Sequence, residues 1–399
     1  GRRIHDHIVE RGLLENNVVL GNALVDMYAK CGMLEKARHV LEELPIRNVV
    51  SWSALIDGYA QEGQGHEALE CFERMKREGH SPNDVTFISI LKACSNIKDV
   101  ERGKQIHNEI VDKYILEKKI ALGNALVDMY VKCGALSRAK QVLEELSVRD
   151  IVSWSALIAG YAQCERYKEA LNCFECMQCS GLPPDGVIWA CVLQIYGNMR
   201  AIVKGRAIHM EVVKKGLFGK DVSTNNGLLD MYAKRGLLSD VAVVFRLLPY
   251  RDVISWTTLI SGYAEHGHHE EALHCFEQMQ AEEVAPDTVT FMYILKACGN
   301  LVDSVQGRMV HNYIMCRGIE SYVYIVSSLI NMYVKCGRLK DARGVFDMMQ
   351  DRNLVAWNAI IDGYAQYGHG ISSLELFEDM IGKGVEPDEI TFSSALKAC

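Results

Sequence analysis

The chain has 399 residues, 49% hydrophobic and 24% charged, enough for roughly two or three domains of ordinary soluble composition. Its formal charge of −8 argues against a protein that coats nucleic acid by charge alone, since phosphate neutralisation needs clustered Lys and Arg. No apolar run approaches the ~20 residues of a membrane span, the start Gly1-Arg2-Arg3-Ile4-His5 has no signal-peptide stretch, and the 14 scattered cysteines read as free thiols of a reducing compartment.

Residues 1–17 read as half of a repeat. Residues 18–48 follow as a 31-residue unit holding Val25-Asp26-Met27-Tyr28 and a turn at Gly32. In the 35-residue unit 49–83, Trp52, Leu55, Ile56 and Tyr59 fall at i, i+3, i+4, i+7, one stripe of a helix. A turn near Gly63 and Gly65 breaks it, Ala68, Leu69, Phe72 and Met75 form a second stripe, and Gly79 and Pro82 stop that helix. A longer unit, 84–119, completes the set.

The set then begins again. Val25-Asp26-Met27-Tyr28 returns as Val127-Asp128-Met129-Tyr130, Leu229-Asp230-Met231-Tyr232 and Ile330-Asn331-Met332-Tyr333, at spacings of 102, 102 and 101. Trp52, Trp154, Trp256 and Trp357 keep the same intervals. The later units are 120–150, 151–185 and 186–221; 222–252, 253–287 and 288–322; then 323–353, 354–388 and a partial unit, 389–399. A helical hairpin this short cannot bury its apolar face alone, so neighbours must stack. The predicted fold is all-α: an α-solenoid of helix-turn-helix repeats in a right-handed superhelix with a concave groove, without an internal domain boundary.

Tetratricopeptide repeats, which bind peptides, have a similar length. The strings VVSWSALIDGYAQEG, EALECFERMKREGHSPN, VTFISILKAC, NALVDMYAKCG and GKQIH instead resemble the P, L and S motifs of pentatricopeptide repeat proteins. The 35/36/31 alternation resembles the plant PLS subclass of that family, the organelle RNA-editing type. The resemblance covers the whole chain, with 18–48, 120–150, 222–252 and 323–353 as S, 49–83, 151–185, 253–287 and 354–388 as P, and the longer units as L.

In that family the fifth and last residues of a repeat face an RNA base and the second residue wedges between bases. With Val49 as first, the fifth and last slots of the S and P units hold Asn22 and Asn48, Ser53 and Asn83, Asn124 and Asp150, Ser155 and Asp185. The later pairs are Asn226 and Asp252, Thr257 and Asp287, Ser327 and Asn353, Asn358 and Asp388. Asx before a helix is also what a cap uses, so the last slot has two readings; the fifth does not. A short hydroxyl leaves room for a purine and Asn reaches a pyrimidine, while a last-slot Asp accepts and an Asn donates. The family code for these pairs gives 5′-CAnUGnUGnAU-3′, discriminating most at Asn124–Asp150, Asn226–Asp252, Ser155–Asp185 and Thr257–Asp287. The L units hold Ile88 and Lys119, Ala190 and Asp221, Met292 and Tyr322, and read as spacer or stacking repeats.

The second slot carries Val19, Val50, Val85, Val152, Val187, Ile254, Val289, Val355 and Ile390, stiff side chains suited to sandwiching a base; Ala121, Ser223 and Tyr324 depart from this. The thirteenth residue of each S unit is Lys30, Lys132, Lys234 or Lys335. These read either as helix C-terminal charge or, with the resemblance, as phosphate contacts.

Cys173, Cys176 and Cys179 form a CxxCxxC run, but the repeat frame aligns them with Cys71, Arg74 and Arg77, so they are not a metal set. His107-Asn108-Glu109 and His209-Met210-Glu211 match the start of a zinc-deaminase signature. Yet His107, His209 and His311 share one slot of the L units, no Pro-Cys-x-x-Cys follows them, and they read as framework. His266, His268 and His269 read as a solvated turn. No nucleophile triad, P-loop or dinucleotide fingerprint is present.

The resulting expectation is a non-enzymatic, sequence-specific single-stranded RNA-binding array without cofactor, membrane or small-molecule ligand. By resemblance it is the targeting part of a mitochondrial or chloroplast C-to-U editing factor, working with editing cofactor proteins. An RNA-stabilising or processing factor acting by occupancy and a protein-binding scaffold are the alternatives. The resemblance also implies that E-type motifs and a deaminase domain lie outside an excised fragment.

Overall fold

A computed structural model describes residues 1–14, 17–112, 119–318, 323–349 and 352–399. All regular structure among the described residues is α-helical, 24 helices joined by short turns. No described helix is long and apolar enough to cross a membrane. The chain forms two compact units, Gly1–Val192 and Leu193–Cys399.

In the first unit the helices Val18–Lys30, Val49–Gln61, Asp84–Ile97, Ile120–Lys132 and Ile151–Gln163 pack each against the next. Between them in sequence run Leu34–Glu43, Gly65–Arg77, Val100–Asp112 and Leu136–Glu145, which lie against the helices on either side. The sequence dictates this division. A helix such as VVSWSALIDGYAQ is apolar round most of its girth and is buried on several faces, whereas GHEALECFERMKR has one apolar stripe and a charged back. The second unit repeats the scheme, with Val222–Lys234, Val253–Glu265, Thr288–Leu301, Val323–Lys335, Leu354–Gln366 and Glu389–Ala398 in one packed layer. Each unit is a helix-turn-helix solenoid.

The predicted stripes form the core, except for Leu69, which is only half-buried. Trp52, Leu55, Ile56, Tyr59, Ala68, Phe72 and Met75 are buried, as are Trp154, Trp256 and Trp357. Burying a side chain of that size contributes about 2–3 kcal/mol. The hairpin turns place Gly32, Gly134, Gly236 and Gly337 at φ of +69°, +75°, +66° and +68°, the left-handed region where a Cβ is penalised. Gly103, Gly205 and Gly307 serve another purpose: a Cβ there would sit 2.5, 2.3 and 2.4 Å from the Sδ of Met129, Met231 and Met332. They let the helices that carry them close onto the helix that follows, as Val100–Asp112 does onto Ile120–Lys132.

Two side-chain devices recur at that level. His5, His107, His209 and His311 meet the hydroxyls of Tyr28, Tyr130, Tyr232 and Tyr333 through Nδ1 at 3.0, 3.0, 3.0 and 2.8 Å. Each such pair ties the helix of the histidine to the helix that follows it, which explains histidine at that slot without chemistry. Arg47, Arg149, Arg251 and Arg352 donate Nε to the carbonyls of Leu41, Leu143, Phe245 and Phe346. They add a side-chain donor to helix-end acceptors, three of which, Leu41, Phe245 and Phe346, also accept a backbone N–H from the closing turn.

Candidate nucleic-acid interface

The side chains singled out in the sequence occupy the first helices and the turns before them. Asn48, Asp150, Asp252 and Asn353 each stand at the N-cap of the next helix and accept from a backbone N–H, as do Asn83, Asp287 and Asp388. Asp185 does the same with the Ile188 N–H at 2.9 Å. All eight last residues therefore cap, which accounts for their chemistry in folding terms.

Capping leaves half of each side chain over. In Asp150, Oδ1 accepts from the Ser153 N–H at 3.0 Å while Oδ2 accepts from Asn124 Nδ2 at 2.9 Å. Asp252 Oδ2 is met in the same way by Asn226 Nδ2 at 3.1 Å, and Asn358 Nδ2 meets both oxygens of Asp388, the capping Oδ1 at 3.0 Å and Oδ2 at 3.1 Å. Ser327 Oγ reaches Asn353 Oδ1 at 3.4 Å. The fifth and last residues of these repeats are thus direct neighbours, although 26 or 30 positions separate them. Burial pushes the Asp150 carboxyl up, but the Ser153 N–H and the Asn124 amide outweigh it and hold the group below its ordinary 3.8. It is an acceptor at neutral pH.

At the other pairs the fifth residue turns elsewhere. Ser53 Oγ lies 2.6 Å from Thr86 Oγ1 and Thr257 Oγ1 lies 2.7 Å from Thr290 Oγ1. The fifth-slot oxygens Asn22 Oδ1, Asn124 Oδ1 and Ser155 Oγ are buried and have no hydrogen-bond partner. Thr86, Thr290 and Thr391 were not anticipated as part of this constellation. Their signal is a threonine three residues beyond the end of a P unit, which resembles ordinary helix capping.

Val19, Val50, Val85, Val152, Val187, Ile254, Val289, Val355 and Ile390 are all exposed, as is Tyr324. Packing does not explain nine β-branched apolar side chains left in water at one slot of successive helices. The lysines are less free than the sequence suggests. Lys30, Lys132 and Lys234 are ion-paired to Asp26, Asp128 and Asp230 one turn back at 2.7, 2.8 and 2.7 Å, and Lys335 donates to Asn300 Oδ1 at 2.7 Å.

In the L units Ile88, Ala190 and Met292 are half-buried, and Met292 lines an open cleft with Val289, Tyr293, Lys296, Ser328 and Lys335. Lys119 is ion-paired to Asp84, Asp221 caps the helix Val222–Lys234, and Tyr322 lies outside the described residues. Among the described residues no group of three or more His, Cys, Asp or Glu could hold a metal ion. Cys173 is buried in its hairpin while Cys176 and Cys179 are exposed, and burial pushes the Cys173 thiol up to about 11. His266 meets the Gly262 carbonyl, His268 pairs with Glu271, and His269 contacts Asn300.

A PPR repeat family model matches residues 47–96, 251–300 and 352–399, and a PPR repeat model matches 22–49, 124–151, 152–182 and 324–354. Similar curated proteins of Arabidopsis thaliana are two chloroplastic pentatricopeptide repeat-containing proteins, each 35% identical over 399 residues, and a mitochondrial one, 36% identical over 401 residues. All of this chain is covered in each, against 49%, 64% and 58% of the relatives, so it spans about half to two thirds of their length. Among solved structures the pentatricopeptide repeat protein PPR10, in complex with an 18-nt psaJ RNA element, matches 96% of this chain and 58% of its own at 19% identity and TM-score 0.76. That likeness concerns the fold.

Proposed function

Since the chain belongs to the pentatricopeptide repeat family, we propose that it binds single-stranded RNA one base per readable repeat, through the fifth- and last-slot pairs. The observation that carries this reading is the contact of fifth- and last-slot side chains, Asn124 with Asp150, Asn226 with Asp252 and Asn358 with Asp388, on helices whose second-slot residues stand exposed. The exposed second-slot valines and isoleucines supply apolar faces on which a base can rest.

The capping geometry gives the code a physical basis. A capping Asn must aim its carbonyl at the helix, as Asn48 Oδ1 does toward the N–H groups of Val50 and Ser51. Its NH2 is then left as a donor, which suits adenine and cytosine. A capping Asp keeps an acceptor oxygen, which suits guanine and uracil. The proposed site remains 5′-CAnUGnUGnAU-3′. Two relatives are chloroplastic and one mitochondrial, so we place this chain in an organelle, as the targeting array of a C-to-U editing factor. Occupancy-based RNA protection is the second reading.

A randomised-RNA selection on the wild type and Asp185→Asn tests the base reading. The wild type should enrich guanine at the fifth letter and the variant adenine there, with all other letters unchanged. The variant keeps its cap, because an amide oxygen can accept from the Ile188 N–H. Absence of a purine at that letter, or the same letter in both proteins, would sink the assignment.

A further inference from the structure

The four P units end in Asn83, Asp185, Asp287 and Asp388, and three residues beyond each stand Thr86, Ile188, Thr290 and Thr391. Following the protons shows what that residue does. Thr290 Oγ1 lies 2.7 Å from Asp287 Oδ1 and 2.7 Å from Thr257 Oγ1. A carboxylate only accepts, so the single Thr290 proton goes to Asp287. Thr257 must then donate its own proton to Thr290, and its remaining lone pairs are all it can offer a ligand.

The same bookkeeping holds at Thr86. Asn83 Oδ1 accepts the Thr86 N–H and the Thr86 hydroxyl, both at 2.9 Å, so Ser53 donates across the 2.6 Å contact to Thr86. At Asn358, Thr391 Oγ1 sits 2.5 Å from the amide oxygen and 2.8 Å from Asp388 Oδ1, which turns Asn358 Nδ2 onto the carboxylate. Only the Ser155 repeat lacks the hydroxyl. Ile188 stands there, buried, and Ser155 Oγ is buried with no partner, so its proton is uncommitted.

We infer that the residue three beyond the end of a P unit is a positioning residue that sets whether the fifth-slot hydroxyl can donate to the base. The inference rests on the base reading proposed above. With threonine present, Thr257 and Asp287 offer acceptors only. They reward guanine, which presents N–H groups on its Watson–Crick edge, and reject adenine, whose N1 is a lone pair. Ser53 with Asn83 offers one acceptor and one donor, the complement of adenine. Ser155 with Asp185 can accept from guanine and can also donate to adenine N1. Two steps with the same reading pair, Ser/Thr with Asp, therefore differ in stringency, and the Ser155 step is the permissive one.

The test measures dissociation constants by fluorescence anisotropy for synthetic RNAs of sequence 5′-CAUUGUUGUAU-3′ carrying G or A at the fifth or the eighth letter. In the wild type the guanine-over-adenine ratio should be about fivefold larger at the eighth letter, facing Thr257, than at the fifth, facing Ser155, the effect of about one net hydrogen bond. Ile188→Thr should raise the ratio at the fifth letter by about fivefold and leave the eighth alone. Thr290→Val, which keeps the shape, should lower the ratio at the eighth letter, and Thr290→Ser should preserve it. Damage to folding would weaken all four RNAs together and would not move one ratio. Guanine preferred equally at both letters, with ratios unmoved by either substitution, overturns the inference while leaving base reading intact. No purine preference at either letter overturns base reading, and the inference falls with it.

Discussion

At the scale of single residues, one carboxylate or amide serves two tasks. Asp150 holds the start of the helix Ile151–Gln163 through Oδ1 and meets Asn124 through Oδ2. Asp150→Ala removes the cap and should cost about 1 kcal/mol. Asp150→Asn should cost only a few tenths, because the amide oxygen still accepts from Ser153. Urea unfolding of the two variants checks this, and equal losses would show that the cap contributes little. The contact of Asn124 with Asp150, Asn226 with Asp252 and Asn358 with Asp388 was legible in the sequence through the slot pairing that the family resemblance implies. The bridging role of Thr86, Thr290 and Thr391 was not, because a threonine at the third position of a helix already has a sufficient reason to be there. Only the placement of Ser53 and Thr257 beside them reveals the second one.

At the scale of elements, the helices and their buried stripes followed from periodicity, since Trp52, Leu55, Ile56 and Tyr59 face the core as their spacing requires. The arginine contacts did not follow, because Arg47 or Arg149 next to an Asx reads as surface charge until the end carbonyls of the preceding helix are seen beside it. The His–Tyr ties give a pH prediction. Burial first, with Arg138 nearby at His107, lowers His107, His209 and His311 below the ordinary 6.5, against weaker opposing carboxylates at Glu145, Asp240 and Asp341. The unfolded chain therefore binds more protons below pH 6.5 than the folded one, so stability is lost as pH falls from about 7 through the folded values. Asp150 and Asp388, held below 3.8, add to the loss only at lower pH. The melting temperature should drop between pH 7 and 5, and a His107→Gln, His209→Gln double variant should show a shallower drop. An unchanged slope would remove the histidines from the account.

For the chain in its entirety, the proposed RNA binding has to work against a formal charge of −8. Four free lysines on phosphates would give a slope of log K against log salt near −3, at about −0.7 per contact. Three of the four already face a carboxylate within 2.8 Å, so RNA must displace Asp26, Asp128 or Asp230 before it gains the cation. The expected slope therefore lies between about −1 and −3. Lys335, held only by neutral Asn300, should contribute most. Gel shifts at several salt concentrations, with Lys335→Ala flattening the slope more than Lys132→Ala, check the ranking. Equal effects at a slope of −3 would mean that the aspartates do not compete.

The shared cap also bears on how such a protein changes its target over generations. A slot that must close a helix admits a short vocabulary of side chains, and within it Asp and Asn are separated by one transition in the first codon base. Under the proposed code that exchange swaps guanine for adenine, or uracil for cytosine, at one letter while the helix start keeps its acceptor. Lineages can therefore drift between neighbouring RNA sequences without passing through an unstable intermediate, and folding itself restricts which letters lie one step apart.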